Sequence, residues 1–254
     1  CKNIIHLAAL IGIPYSYISP LAYLKTNIEG TYNVLNAAKQ LSGINDIIVT
    51  STSEVYGSGK VFPMTEDHSL NAQSPYSATK ISADSISQSF YKSYDLPITI
   101  LRPFNNYGPR QSNRAIIPTI ISQFFNQNKY IEVGNINTTR DFTYVSDTAS
   151  AFFKILGRKK YGEIFNIASG FEISIEEVIE KVSKIIKIKK KVKKVKNRVR
   201  PRKSEVTRLL GDSKKFKKLT KWSPKINFDD GLIKTINWIK NSKINLENSS
   251  KYIV

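Results

Sequence analysis

TSTSEVYGSGKVFPMTEDHSLNAQSPYSATK, residues 50–80, is a hydroxyl-rich turn followed by a helix start, and the order of its parts decides the fold. Just before it lies the apolar, strand-like run Asp46-Ile47-Ile48-Val49. Thr52, Ser53 and Glu54 therefore stand at a strand's C-terminal end, where open α/β sheets bind ligands. Ser74-Pro75 supplies a helix N-cap with proline in the first turn, where its missing N–H costs nothing. On that helix Tyr76 and Lys80 are spaced i, i+4 and share a face.

A free phenol with pKa about 10 is a poor base at neutral pH, and a neighbouring ammonium favours the phenolate. The spacing predicts that Lys80 helps lower the Tyr76 pKa by about three units, roughly 4 kcal/mol of differential stabilisation. A phenolate beside the hydroxyls of Thr52 and Ser53 and the carboxylate of Glu54 suits proton removal from an alcohol during hydride transfer. Tyr-x-x-x-Lys alone is a weak signal, because about two chance occurrences are expected in a chain rich in both residues. Its weight comes from order: strand, turn with Glu54, helix-borne Tyr76 and Lys80, then a second strand ending in RPFNNYGPR, residues 102–110.

HLAA (6–9), TSTSEVYG (50–57), PYSATK (75–80) and RPFNNYGPR resemble the extended short-chain dehydrogenase/reductase family of nucleotide-sugar enzymes, the NAD-dependent epimerases and dehydratases. Within it, ALIGIPYSYISP (9–20), AIIPTIISQ (115–123), TRDFTYVSDT (139–148), FEISIEEV (171–178) and RPRKSEVTRLLGD (200–212) are most similar to one group. That group is the NAD-dependent 4,6-dehydratases acting on nucleotide-linked N-acetylglucosamine in legionaminic acid biosynthesis. The resemblance runs through nearly the whole chain. It implies an α/β fold, a Rossmann-like doubly wound parallel sheet, with a smaller C-terminal α/β substrate domain. Residues 1–108 and 141–169 are assigned to the NAD-binding part, and 109–140 and 170–254 to the nucleotide-sugar part. A homodimer is implied, paired through the helices at 22–41 and 76–94.

The resemblance also implies roles. NAD lies against the backbone of Leu7, Ala8 and Ala9, with Asn27, Thr50, Ser51, Tyr76, Lys80 and Pro103 around it. Asn105, Arg110, Arg140 and Arg202 face the nucleotide sugar. Tyr76, assisted by Thr52, takes the proton of the sugar 4-hydroxyl while hydride leaves C4 for the nicotinamide. Glu54 then removes the C5 proton, the 6-hydroxyl departs as water, and hydride returns to C6. The dTDP-glucose dehydratases carry Thr-Asp-Glu at this turn; with Ser53 in place of that Asp, the leaving-group proton comes from Glu54 itself or from a water. The rival readings are a UDP-glucuronate decarboxylase, a nucleotide-sugar 4-epimerase, and a non-catalytic scaffold. For three of these residues a structural role competes with the functional one. His6 suits a core or cofactor-edge position, Asn27 a local backbone bond, and Arg140 an ion pair with Asp141 or Asp147.

The family's glycine-rich nucleotide loop, Gly-x-x-Gly-x-x-Gly or Gly-x-Gly-x-x-Gly, is not found in these 254 residues. The expectation is a stretch lacking the first strand-helix-strand block, inactive by itself. At this length, 41% hydrophobic content supports one large or two modest domains. There is no run of eighteen apolar residues and no signal-peptide pattern, so a cytoplasmic protein without membrane partners is expected. One cysteine excludes an intramolecular disulfide, and two histidines offer no metal cluster. The net charge of +19 is concentrated in KVSKIIKIKKKVKKVKNRVRPRK, residues 181–203. It reads as a solvated lysine face, or as a positive mouth for a nucleotide diphosphate. Nucleic acid is not expected, since no aromatics are interleaved for base stacking.

Along the chain, residues 3–9 read as a strand buried on both faces, and 12–20 as a substrate-side loop. Helices are expected at 22–41, 76–94, 113–126, 146–156, 175–188 and 229–240, the last packing Trp238 inward. Further strands are expected at 44–50, 97–102, 130–133 and 163–168, with a basic strand ending at Arg200-Pro201. Ser174 and Glu177 form a capping box, residues 216–224 make a closing helix and turn, and the last dozen residues are frayed.

Overall fold

The computed structural model describes residues 1–242, so the expected fraying of the last dozen lies outside the described residues. The chain opens with β1 (Asn3–His6), α1 (Ile13–Ile18), α2 (Pro20–Tyr23), a π-helical turn (Leu24–Glu29) and α3 (Gly30–Lys39). Next come β2 (Asp46–Thr50), a 3-10 turn (Ser53–Tyr56), α4 (Pro75–Tyr94) and β3 (Ile98–Pro103). Then follow β4 (Asn105–Tyr107), α5 (Ile116–Phe125), β5 (Tyr130–Val133), β6 (Thr139–Tyr144), α6 (Val145–Ile155) and β7 (Ile164–Ile167). β8 (Glu172–Ser174), α7 (Ile175–Ile186), β9 (Lys191–Lys194), β10 (Arg208–Leu209), α8 (Lys214–Thr220) and α9 (Phe228–Asn241) close the described chain.

The main sheet is parallel throughout, in the order β1-β2-β3-β7. Side chains alternate across a strand, so one apolar run serves two layers. Ile47, Val49, Ile98 and Ile100 face Leu35 of α3 and Phe90 of α4. Ile48, Leu101, Phe165 and Ile167 face Phe152 of α6 and Phe216 and Trp222 beyond β10. Helices on both faces are what a parallel sheet of continuous apolar strands requires. A second core joins Ile120 and Phe124 of α5, Val178 and Val182 of α7 and Leu232 and Ile236 of α9 to Tyr107, Phe142 and Tyr144. There β6 pairs in parallel with β4 and β10 and antiparallel with β8.

Four expectations are corrected. β1 spans four residues and not seven, His6 is its one buried residue, and among the described residues it pairs with β2 alone. Residues 12–20 are not a loop: Pro14 in the first turn starts α1, which buries Ile13 and Ser16. The helix expected at 22–41 is α2 and α3 joined through the π-helical turn. Phe216 and Trp222 belong to the main-sheet core, although residues 170–254 were assigned to the sugar-binding part. Trp238 packs only partly into the second core.

The expected capping box and the expected N-cap are both present. Ser174 caps α7 with Glu177 answering, and Ser74 caps α4 with Ser77 answering, which fixes the turn that presents Tyr76. Among the described residues no helix is long and apolar enough to cross a membrane.

Candidate active site

The C-terminal ends of β2 and β3 and the first turns of α4 converge on one place. Thr52 caps the 3-10 turn by accepting from the Glu54 N–H at 3.2 Å, and this turn buries Ser53 and Glu54. Tyr76 is 6% exposed and packs against Ile13 and Tyr23, the two tyrosine rings meeting edge-on at 6.2 Å. The segment expected to be a loop is thus an apolar wall over the phenol.

That wall reverses one expectation. Burial pushes the Tyr76 phenol up; a hydrogen bond with Thr52 opposes this, and the charge of Glu54, then Tyr23 and Asp84, add to the rise. Lys80 does not lower it: its Nζ donates to the Thr50 carbonyl at 2.6 Å, and burial pushes the ammonium itself down. Desolvation outweighs the i, i+4 neighbour because both groups sit in the dry layer between α4 and β2. Glu54 nevertheless shares the surroundings of Tyr76, as its effect on the phenol requires.

Cations gather on the other side of Glu54. Arg200 Nη1 lies 3.8 Å from Glu54 Oε1 and is buried without a hydrogen bond. Arg140 is buried, donates to the Thr139 carbonyl at 2.8 Å, and lies 3.8 Å from Glu205. Burial pushes Arg140 down, and Glu54 is the first charge that holds it up. The pairing with Asp141 or Asp147 is not formed: Asp141 accepts from the Ser169 and Gly170 N–H groups, and Asp147 from those of Lys225 and Ile226.

The segment bearing Arg200 is fastened to the site. Tyr17 and Ser204 share a hydrogen bond at 2.5 Å, Ser204 donates to the Gln73 carbonyl, and Gln73 Nε2 donates to the Lys203 carbonyl at 2.9 Å. Pro201 then starts a 3-10 turn, which ends the alternation of an extended chain, and Arg202 is exposed. Arg200, two residues earlier, is the guanidinium at Glu54. Sequence reasoning missed it because the fold, not local spacing, brings it there; the Arg-Pro-Arg triplet was the only signal.

The remaining residues are placed as follows. Leu7 and Ala8 are exposed and Ala9 half-buried, beyond the end of β1. Asn27 is buried in the π-helical turn and holds the Leu10 backbone at both ends, accepting from N at 2.8 Å and donating to O at 3.0 Å. It also donates to Thr79 Oγ1 at 3.0 Å. Thr50 Oγ1 is buried with no partner, and Ser51 Oγ donates to Asp84 at 2.9 Å. Pro103 is buried at the end of β3, and Asn105 is half-buried with its Oδ1 unpartnered. Arg110 is exposed at a left-handed turn with φ 67°. Thr52 and Glu54 thus share one turn, Arg200 stands against it, and Tyr76 and Arg140 feel the charge of Glu54; among the described residues Arg110 and Arg202 pair with none of them.

A family model described as GDP-mannose 4,6 dehydratase matches residues 1–235. The chain belongs to the NAD-dependent epimerase/dehydratase family of extended short-chain dehydrogenases. The dTDP-D-glucose 4,6-dehydratase of Homo sapiens is 30% identical over 251 residues, 98% of this chain and 71% of that one. Among solved structures, a dTDP-glucose 4,6-dehydratase from Bacillus anthracis in complex with NAD has a TM-score of 0.84 at 31% identity, covering 95% of this chain and 73% of that one. A UDP-glucuronic acid 4-epimerase from Bacillus cereus in complex with UDP-glucuronic acid and NAD has a TM-score of 0.88 at 30% identity, covering 94% and 75%. Dehydratases and epimerases of the epimerase/dehydratase family thus resemble this chain about equally.

Proposed function

We propose that the protein is an NAD-dependent nucleotide-sugar 4,6-dehydratase that converts UDP- or GDP-N-acetylglucosamine to the 4-keto-6-deoxy sugar, the reaction class of legionaminic acid biosynthesis. The observation that carries this reading is the buried Glu54 carboxylate in the turn capped by Thr52 at the end of β2, its charge felt by Tyr76. An epimerase has no need of a second base there, whereas a dehydratase must take a proton from C5.

The residues present fit the nicotinamide side of a dinucleotide. Thr50 Oγ1 is buried without a partner, Leu7 is 63% exposed at the sheet's ligand-binding end, and Asn27 fixes the backbone beside it. Bound NAD supplies a reversible hydride acceptor at the sugar ring and a positive charge near the phenol. Tyr76 holds its proton in the chain alone; beside the positive charge of bound NAD it would lose that proton to solvent, and the resulting phenolate, next to Thr52, would take the 4-hydroxyl proton. Glu54 removes the C5 proton made acidic by the 4-ketone, then returns it to the departing 6-hydroxyl, since Ser53 offers no carboxylic acid. Arg140 and Arg200 are the cations for the diphosphate, and Asn105 Oδ1 is an acceptor for a sugar hydroxyl. The wall formed by α1 excludes water from the phenol.

A second reading has its own observation. Arg200 Nη1, buried and without a hydrogen bond, is a cation that a substrate carboxylate could meet. That favours a UDP-glucuronate 4-epimerase or decarboxylase. One substitution separates the two. Glu54→Gln in the dehydratase retains oxidation at C4 but lowers water loss by about 100-fold or more. Mass spectrometry on UDP- and GDP-N-acetylglucosamine reads the loss of one water directly. Unchanged mass with an inverted 4-hydroxyl, insensitive to Glu54→Gln, overturns the dehydratase.

The proposal includes cytoplasmic assembly as a homodimer through α3 and α4, whose Tyr32 and Tyr94 are exposed. A monomer mass by sedimentation equilibrium removes that part.

A further inference from the structure

One turn after Lys80, α4 carries a buried carboxylate that the reaction as drawn does not use. Asp84 and Lys80 are spaced i, i+4 on one face of the helix, and both are buried. Asp84 Oδ2 accepts from Ser51 Oγ at 2.9 Å and from Arg102 Nε and Nη2, each at 3.0 Å. Three donors converging on one oxygen mark an ionised carboxylate. Burial pushes Asp84 up, and Arg102 leads the groups that pull it back. Its other oxygen, Oδ1, is buried with no hydrogen-bond partner among the described residues.

Arg102 continues the network, donating through Nη1 to the Tyr56 hydroxyl at 3.1 Å, which itself donates to Asn166 Oδ1 of β7 at 2.7 Å. One carboxylate is therefore paired with Arg102 and lies one helical turn from the buried Lys80. A buried lysine without a counter-charge sheds its proton, and only the ammonium form carries the charge that a cofactor-side role needs.

No other neighbour supplies that counter-charge. His6 of β1 is pushed down by burial and then by Lys80, so it stays neutral. Tyr76 of α4 and Tyr56 of the 3-10 turn are pushed up by burial and stay protonated. Arg102 of β3 is a cation. Glu54 acts on Tyr76 and Arg140, across the site. Among charges, Asp84 is the one that holds the Lys80 ammonium up against burial.

We propose that Asp84 is a positioning residue: held by Ser51 and Arg102 one helical turn from Lys80, it supplies the counter-charge that keeps Lys80 an ammonium on the Thr50 carbonyl. The role rests on reading Lys80 as the cofactor-side cation. Its test does not depend on turnover. Lysine labelled with 13C at Cε is followed by NMR across pH, with the Lys80 signal assigned by its loss in K80M. In D84N the Lys80 midpoint falls by about one pH unit or more. In S51A, which removes a hydrogen bond to the same carboxylate but no charge, it stays where it is in the parent.

Should D84N not fold because Arg102 is left unpaired, D84N/R102Q is compared with R102Q alone, and the midpoint falls from the single to the double variant. An unchanged midpoint in the Asp84 variant, or an equal fall in S51A, overturns the proposal. A fall in the midpoint with no water lost from any nucleotide sugar in the parent protein leaves Asp84 in its role and sinks the dehydratase reading instead.

Discussion

At the scale of single residues, burial decides more than spacing. Tyr76 and Lys80 are legible from the sequence because i, i+4 neighbours on a capped helix are a local matter. Their protonation states are not, since these depend on which chain segments exclude water. His6 shows the same effect in a measurable form. It sits 3.2 Å from Thr31 Oγ1, and burial, then Lys80, hold it below the ordinary imidazole value of 6.5. The unfolded chain therefore accepts a proton that the folded chain resists, and the unfolded state binds more protons as the pH falls below 6.5. Stability should decline with falling pH from there until the folded imidazole protonates. His6→Asn should flatten this slope, read as urea midpoints at about pH 7.5 and about pH 5.5. The same slope in both proteins contradicts the assignment.

At the scale of elements, caps and turns follow the sequence closely. Ser174 accepts from the Glu177 N–H at 3.1 Å while Glu177 accepts from the Ser174 N–H at 2.8 Å, as the Ser-x-x-Glu pattern predicts. Ser174→Ala should cost about 1 kcal/mol, seen as a lower denaturation midpoint with the slope of the transition unchanged. A loss below about 0.3 kcal/mol would mean that α7 is held by its packing alone. The π-helical turn and α1 were not legible in the same way. One widened turn sets Asn27 on the Leu10 backbone and Thr79 together, and such insertions gather at functional sites. No residue preference announces the widening; the packing partners impose it.

At the scale of the whole molecule, the two cores are joined through the segments between β10 and α9. Trp222 is buried in the main-sheet core, and its Nε1 donates to the Asp147 carbonyl and to Ser150 Oγ, each at 3.0 Å. A few residues on, Asp147 accepts from the Lys225 and Ile226 N–H groups and turns the chain toward α9 in the second core. Trp222→Ala should therefore cost about 3–5 kcal/mol. It should also expose β7 and α9 to hydrogen exchange together, since one residue links their layers. Loss confined to α9 would show that the link is weaker than its hydrogen bonds suggest.

The sequence by itself determined the main-sheet strands, the parallel α/β class, the two caps, the turn that carries Thr52 and Glu54, and the helix face that carries Tyr76 and Lys80. Each of these is written in periodicity or in contacts a few residues apart. Only the tertiary structure decided that Arg200 rather than Arg202 meets Glu54, and that α1 dries the phenol of Tyr76. It alone set Arg102 of β3 on Asp84, one helical turn from Lys80. The reason is physical: charge and hydration at a buried site are set by everything packed within a few ångströms, and most of those groups come from distant parts of the chain.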